Sequence, residues 1–269
     1  MYFIGIDIGS TAAKTVVLDG EKIAASFILP TGWSSKETAA RIKANLDELG
    51  IDVEADDTKV IATGYGRISV DYADKVLTEI SCHGKGGANL MAGDCVIIDV
   101  GGQDTKIITM EKGTVARFLM NDKCSAGTGK FIEIMANRMG VDIMELFMLA
   151  EAGTPIPISS MCTVFAESEV ISQMGAGKSK EDIAAGIVES VVSRVALLAS
   201  RHDSLDKYIL TGGLSLNPYF AVRLAKKLGQ EVVTHEMGIY AGALGAALLA
   251  ADKFSKMPDS NLHRFPAVK

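Results

Sequence analysis

The chain has 269 residues, of which 48% are hydrophobic and 22% are charged. These values are ordinary for a globular protein and exclude a disordered or fibrous chain. The formal net charge of −6 argues against a protein that coats nucleic acid. The longest apolar stretch, 241–251, is too short to span a bilayer, and the first residues lack the basic region of a signal peptide. We therefore expect a cytoplasmic protein with no membrane or nucleic-acid partner.

An internal repeat organises the predicted elements. A shift that places Asp7 on Asp99 also places Lys14 on Lys106, and each aspartate ends an apolar, strand-like run. Two further β-rich runs follow each of them, separated by tight turns. The six predicted strands are 2–9, 15–18 and 22–29, then 95–101, 107–110 and 115–120. Each half of the chain is thus predicted to begin with a three-stranded meander.

Helical periodicity follows each meander, and a serine start and Gly50 bound the first helix. The predicted helices are 34–49, 74–90, 127–139, 162–174, 180–202, 216–228 and 240–253, with further strands at 59–64 and 208–211. This pattern predicts an α/β fold made of two halves, 1–92 plus 239–269 and 93–238. A cleft between two such halves is the expected ligand site.

Two glycine-rich turns follow the matching aspartates. The first glycine loop, 7–14, and the second, 99–104, offer backbone N–H groups, hydroxyls and lysines of the kind that phosphate oxygens accept, and their acids suit Mg²⁺. Either loop alone is equally compatible with an ordinary hairpin. Two in register, with Gly127-Thr128-Gly129 at a helix start and Gly212-Gly213 after a strand, favour a nucleotide. The candidate residues are Asp7, Gly9, Ser10, Thr11, Ala12, Ala13, Lys14, Asp99, Gly101, Gly102, Gln103, Lys106, Gly127, Thr128, Gly129, Gly212 and Gly213.

These loops resemble those of the actin-like ATPase superfamily, which includes sugar kinases, actin and heat-shock chaperones. The resemblance implies two duplicated, ribonuclease H-like halves around a nucleotide cleft, with 211–213 as the adenosine motif and ATP with Mg²⁺ as ligands. We predict that Asp7 and Asp99 hold the water shell of Mg²⁺ and that Gln103 and Asp104 orient the attacking water. Lysines 14 and 106 are expected to offset phosphate charge.

Four cysteines are too few for a disulfide scaffold in a chain of this length, and none forms a CxxC pair. We interpret Cys82 and Cys95 as structural. Cys124 and Cys162 each precede a predicted helix, where the helix dipole favours a thiolate, although a buried apolar role is the alternative for any cysteine. Two thiolates do not satisfy a cluster that needs four, but a two-fold dimer supplies the pair twice.

Longer motifs resemble the 2-hydroxyacyl-CoA dehydratase activators of the benzoyl-CoA reductase-type ATPase family, over nearly the whole chain. The motifs are GIDIGST at 5–11, ATGYGR at 62–67, EISCH at 79–83, NDKCSAGTG at 121–129 and CTVFAESE at 162–169. The resemblance implies a homodimer that holds a single 4Fe-4S cluster, with Cys124 and Cys162 as its ligands. It implies an electron taken from ferredoxin or flavodoxin and passed, with ATP hydrolysis, to a partner iron–sulfur protein.

Ser125, Lys130 and Met161 depart from the pattern of many dehydratase activators, and none of them removes a ligand. Together with DYADK at 71–75, they resemble a branch whose acceptor is a double-cubane-cluster protein, so the acceptor is either dehydratase-like or of that type. Two other classes on this fold stay open, a small-molecule kinase and a filament-forming structural ATPase. Cys124 and Gly127 lie on one short segment, so we predict that a change at the γ-phosphate moves the loop that holds the cluster.

Overall fold

The internal repeat is present as two five-stranded sheets of the same topology. The computed structural model describes residues 1–158, 162–201 and 207–255. One sheet has the order β3-β2-β1-β4-β5 and the other β10-β9-β6-β7-β8. The strands are β1 Tyr2–Ile8, β2 Ala12–Asp19, β3 Lys22–Pro30, β4 Thr58–Thr63, β5 Lys75–Val76, β6 Cys95–Val100, β7 Thr105–Glu111, β8 Thr114–Asn121, β9 Tyr208–Gly212 and β10 Val232–Val233. In each half, the first strand therefore lies at the centre of its sheet.

The helices are α1 Ser35–Glu48, α2 Glu79–Met91, α3 Gly129–Met139, α4 Ile143–Ala152, α5 Thr163–Gly175, α6 Lys180–Ala199, α7 Pro218–Leu228 and α8 Ala241–Phe254. Side chains cap several of them, as the sequence predicts for serine at the start of α1, where the Ser34 hydroxyl accepts from the Glu37 N–H. None of the helices in the described part of the chain has the length and hydropathy needed to cross a membrane.

Contacts divide the chain into two units. Unit 1 comprises Met1–Ile97, Ile108–Phe118 and His235–Lys269, and unit 2 comprises Ile98–Ile107 and Leu119–Thr234. The division at 92/93 and 238/239 that the repeat suggests differs from this one and stays a prediction.

Strand β1 forms the centre of unit 1 because nearly all of its residues are apolar. It pairs antiparallel with β2 and parallel with β4, and it is buried from Phe3 to Ile8. Alanine-rich α8 packs closely on it: a Cβ added at Gly5 would collide with the backbone of Ala243. Gly245 of α8 approaches the Cys82 carbonyl of α2 in the same way. These close approaches explain some of the 27 glycines of the chain.

Several predicted boundaries are wrong, each for a local reason. The helix predicted at 74–90 begins at Glu79 because Thr78 caps it, and Lys75–Val76 forms β5 instead. The helix predicted from residue 127 begins at Gly129, since Gly127 has a φ of +91° that a helix does not allow. Cys124 consequently lies in a loop, and its predicted place at a helix start is wrong.

The remaining differences are smaller. The helix predicted at 216–228 begins at Pro218, the residue after its Asn217 cap. The helix predicted at 180–202 ends at Ala199, and His202 lies outside the described residues. Helix α4 lies outside the predicted elements, although Asp142 accepts from the Glu145 N–H at its start and Gly153 follows its end.

Candidate functional site

The second glycine loop forms a buried charged cluster in unit 2. The Lys106 ammonium lies 2.8 Å from Oδ1 of Asp104 and 3.5 Å from Oδ2 of Asp99. The Thr211 hydroxyl donates to Oδ1 of Asp99 at 2.9 Å. Buried charges are tolerated when they are paired in this way. Lys106 therefore forms ion pairs with the two aspartates in this structure, and its expected contact with phosphate stays a prediction.

The first glycine loop, in unit 1, has the same backbone turn as the second. The Gly9 N–H donates to the Ala12 carbonyl at 3.2 Å, and the Gly101 N–H donates to the Asp104 carbonyl at 2.9 Å. The Thr31 hydroxyl closes the first loop by donating to the Gly9 carbonyl at 2.8 Å. The equivalence extends the sequence repeat to the hydrogen bonds of the two turns.

Side chains around the first loop remain accessible for a ligand. Ser10 is half-buried and Thr11 is exposed, whereas the Asp7 carboxyl is buried at the end of β1. The Lys14 ammonium lies over Gly9, 3.5 Å from where a Cβ would stand. Hydroxyl, ammonium and carboxylate groups thus line one turn, as phosphate and a hydrated cation require.

A glycine lies against each aspartate, at the end of the neighbouring strand, and its backbone is in the left-handed region. Gly64 has a φ of +88° and Gly212 a φ of +81°. A Cβ on Gly64 would lie 2.5 Å from Oδ1 of Asp7, and one on Gly212 would lie 3.1 Å from Oδ1 of Asp99. Any other residue at these positions would combine backbone strain with crowding of the carboxylate.

Hydrogen bonds fasten the start of α3 to the second glycine loop. The N–H groups of Gly129 and Lys130 donate to the carbonyl oxygens of Gly101 and Gly102 at 2.9 and 2.8 Å. The Thr105 hydroxyl donates to the Gly127 carbonyl at 2.7 Å in a buried position. The N–H of Gly129 is therefore used within the protein here, and nucleotide binding by Gly127, Thr128 and Gly129 stays a prediction.

The same segment continues back to Cys124, and we call residues 121–130 the linking segment. Both the N–H and the hydroxyl of Thr128 donate to the Ser125 carbonyl. The Asn121 amide donates to the carbonyl oxygens of Cys124 and Ala126 at 2.9 and 3.2 Å. These hydrogen bonds restrict the movement of the backbone between Cys124 and the second glycine loop.

The structure brings the two predicted cluster cysteines into the same part of unit 2. Both are exposed, and Cys162 occupies the N-cap position of α5. Their next neighbours in sequence touch: the hydroxyls of Ser125 and Thr163 share a hydrogen bond of 2.8 Å. An ion pair between Arg138 and Glu167 also joins α3 to α5. Two accessible thiols on adjoining segments fit the donor set of an iron–sulfur cluster.

The other two cysteines are buried, as their interpretation as structural residues expects. Burial raises the pKa of the Cys82 thiol to about 12. Cys82 therefore remains a neutral thiol at physiological pH. In the described residues, no group of three or more His, Cys, Asp and Glu side chains is arranged to hold a metal ion.

Residues 211–213 lie at the end of β9, where Gly213 begins a 3-10 turn beside Asp99 of the second loop. Gln103 is exposed at the tip of that loop. Sequence reasoning missed two side-chain contacts, that of Thr105 with the Gly127 carbonyl in unit 2 and that of His83 with Asp7 in unit 1. Each contact joins segments that are distant in sequence, and a spacing pattern within one segment gives no signal for it.

A sequence profile of the BadF/BadG/BcrA/BcrD ATPase family matches residues 4–250. The chain belongs to this family. The match confirms the resemblance that the motifs around the glycine loops and the cysteines indicate. It covers all the described elements that carry the candidate site.

Relatives of known name resemble this chain over most of its length. The (R)-2-hydroxyglutaryl-CoA dehydratase activating ATPase of Acidaminococcus fermentans is 44% identical over 259 residues, covering 95% of this chain and 99% of the relative. The crystal structure of component A of that dehydratase matches with a TM-score of 0.89 and covers 95% of this chain and 100% of its own.

A second solved structure adds a nucleotide analogue. The activator of the 2-hydroxyisocaproyl-CoA dehydratase from Clostridium difficile, with bound ADPNP, is 40% identical, with a TM-score of 0.86 and coverage of 94% and 95%. A ROK family glucokinase from Streptomyces griseus matches with a TM-score of 0.59 at 18% identity, which shows the fold alone. The predicted α/β, actin-like ATPase fold is confirmed.

Burial predicts how the four thiols react. In folded, iron-free protein under reducing conditions, a thiol reagent should modify Cys124 and Cys162 rapidly, because they are exposed, and leave the buried Cys82 and Cys95 unmodified. Mass spectrometry after a timed reaction counts the modified thiols.

A Cys124→Ser variant is the control and should lose one rapidly modified site. All four thiols should react once guanidinium unfolds the chain. Rapid modification of Cys82 in the folded protein would contradict the placement of α2.

Proposed function

We propose that this protein hydrolyses ATP to drive an electron, at low potential, through a 4Fe-4S cluster to a partner iron–sulfur protein. The observation that carries the proposal is the linking segment. Its Gly129 end is hydrogen-bonded to the second glycine loop, and its Cys124 end adjoins Cys162 through the bond between Ser125 and Thr163. The relatives support the same function, since they include an activating ATPase of (R)-2-hydroxyglutaryl-CoA dehydratase and activators of 2-hydroxyisocaproyl-CoA dehydratase and lactoyl-CoA dehydratase.

The nucleotide is assigned to the glycine loops. In the first loop, Ser10, Thr11 and Lys14 supply donors to phosphate oxygens, and the N–H groups of Ala12 and Ala13 belong to the same turn. In the second loop, Gln103 and Asp104 orient the attacking water. Asp7 and Asp99 hold the water shell of Mg²⁺, whose charge stabilises the phosphoryl group during transfer. Residues 211–213 complete the site at the adenosine end.

Cys124 and Cys162 are proposed as the cluster ligands. Because each chain provides two exposed thiols, a cluster with four thiolate ligands requires a second copy of the chain. The start of α5, directly after Cys162, exposes Val164 and Phe165 by about two-thirds of their surface. Apolar side chains exposed beside a ligand support a homodimer that meets at the cluster. The bound cluster would supply one-electron transfer.

Coupling follows from how the linking segment is fastened. A change in the contacts of the second loop shifts the carbonyl oxygens of Gly101 and Gly102, and with them the first turn of α3. The short path from Thr128 to Cys124 is constrained by side-chain bonds from Asn121 and Thr128, so it transmits the shift to the thiol. Such a link satisfies the requirement that two sites share an element with differential contacts.

Ferredoxin or flavodoxin is the proposed electron donor, and a dehydratase-like or double-cubane-cluster protein is the proposed acceptor. A cytoplasmic location belongs to the same proposal. A small-molecule kinase or a structural ATPase leaves the exposed pair of cysteines without a role. The likeness to the glucokinase is one of fold alone.

Iron analysis tests the cluster. Protein purified without oxygen should contain about four irons and four sulfides per two chains. Cys124→Ala and Cys162→Ala should each lose the iron while they retain ATP binding, because neither thiol lies in a glycine loop. Cys95→Ala, which removes a buried thiol, is the matched control and should retain iron. Iron retained in both ligand variants would refute the assignment.

A second variant tests the coupling and replaces neither a proposed cluster ligand nor a proposed nucleotide-binding residue. Thr105→Val removes the hydroxyl that holds the Gly127 carbonyl and leaves that buried acceptor unsatisfied. We expect iron content and ATP affinity to stay normal, while electrons delivered to a partner iron–sulfur protein per ATP hydrolysed fall about fivefold, which corresponds to about 1 kcal/mol.

Thr114→Val is the matched control for this change. The Thr114 hydroxyl donates to the Glu111 carbonyl on the exposed turn between β7 and β8, outside the linking segment. Its ratio of electrons to ATP should equal that of the wild type. A wild-type ratio in Thr105→Val would exclude the linking segment as the route of coupling.

A further inference from the structure

The Asp7 carboxylate has a histidine beside it that the proposed function does not use. Nε2 of His83 lies 3.7 Å from Oδ2 of Asp7, and both side chains are more than nine-tenths buried. His83 belongs to α2, so its ring approaches the end of β1 from a different element of unit 1. A buried imidazole at this distance restricts the directions that the carboxylate can take.

Glycines leave room for this pair of side chains. A Cβ added at Gly242, in the first turn of α8, would lie 2.7 Å from both Oδ2 of Asp7 and Nε2 of His83. On the other side, a Cβ on Gly64 would lie 2.5 Å from Oδ1 of the same carboxylate. The carboxylate thus lies in a pocket with two backbone walls, and the imidazole is its side-chain neighbour.

The corresponding aspartate of unit 2 is held by different groups. Asp99 accepts from the Thr211 hydroxyl and lies beside the Lys106 ammonium. In unit 1, the strand position that matches Thr211 is Thr63, whose buried hydroxyl makes no hydrogen bond to Asp7. The neighbour of Asp7 is a histidine, whereas Asp99 has a threonine and a lysine beside it.

We propose that His83 is a positioning residue that holds Asp7 in the orientation needed for the water shell of the nucleotide-bound magnesium ion. The inference rests on the proposed function, which assigns that role to Asp7. His83 acts through the carboxylate and contacts neither the nucleotide nor the ion. Gly242 is required because a side chain there would displace the same carboxylate oxygen.

The test is the magnesium dependence of ATP hydrolysis in the purified dimer. His83→Ala should raise the Mg²⁺ concentration for half-maximal hydrolysis about tenfold and lower kcat, since the buried carboxylate loses its polar neighbour and with it a fixed orientation. His83→Gln retains an N–H donor and should recover most of the wild-type response. Gly242→Ala should resemble His83→Ala, because its methyl group would crowd both Oδ2 of Asp7 and Nε2 of His83 and separate the pair.

Two controls keep the outcomes distinct. Lys85→Gln, which removes an ion pair with Asp252 on the outer side of α2, should leave the Mg²⁺ response unchanged. Asp7→Asn should raise the Mg²⁺ requirement at least as much as His83→Ala. A normal Mg²⁺ response in Asp7→Asn would overturn the assignment of Asp7 and the role of His83 with it. An impaired Asp7→Asn beside a normal His83→Ala and a normal Gly242→Ala would overturn the role of His83 alone.

A merely structural histidine predicts a different pattern. It would lower Tm in both His83→Ala and His83→Gln and leave the Mg²⁺ midpoint of the folded fraction unchanged. That result would also overturn the proposal. Iron content should be equal in all of these variants, because α2 carries no cluster ligand.

Discussion

The candidate site of unit 2 depends on one constraint. The first N–H groups of α3 donate hydrogen bonds to carbonyl oxygens of the second glycine loop. A helix start normally presents these groups to solvent or to a ligand. Here Gly101 and Gly102 accept them, so the first turn of α3 is fixed to the end of β6. The linking segment then has little freedom, and the position of Cys124 follows from that of the glycine loop.

Duplication explains why the two halves have the same backbone geometry around their aspartates, although the side chains there differ. Both central strands have an aspartate as their second-to-last residue, both turns close with the same N–H to carbonyl bond, and both aspartates adjoin a glycine with positive φ. The groups beside the aspartates differ: Asp99 has Lys106 and Thr211, whereas Asp7 has His83. The same backbone turn thus places its aspartate in a different electrostatic environment in each half.

The sequence predicted the parts of this arrangement that depend on local signals. Alternating and apolar runs located the meanders, and Ser34 located the start of α1. The repeat aligned Asp7 with Asp99, and motif resemblance identified the family. Local signals failed where tertiary contacts decide the structure. The pairing of Lys106 with two aspartates has no local signal, and its predicted contact with phosphate stays a prediction. The bond from Thr105 to Gly127 and the approach of His83 to Asp7 depend on the folded chain.

The central claim is that one segment of backbone joins the nucleotide site to the cluster. The electron paramagnetic resonance spectrum of the reduced cluster tests this claim most directly. The spectrum of the protein with ADP is compared with that of the protein with ADPNP, at equal iron content. The account predicts different spectra, because the γ-phosphate acts on the second glycine loop and displaces the ligand loop of Cys124. Identical spectra with saturating amounts of both nucleotides would contradict it.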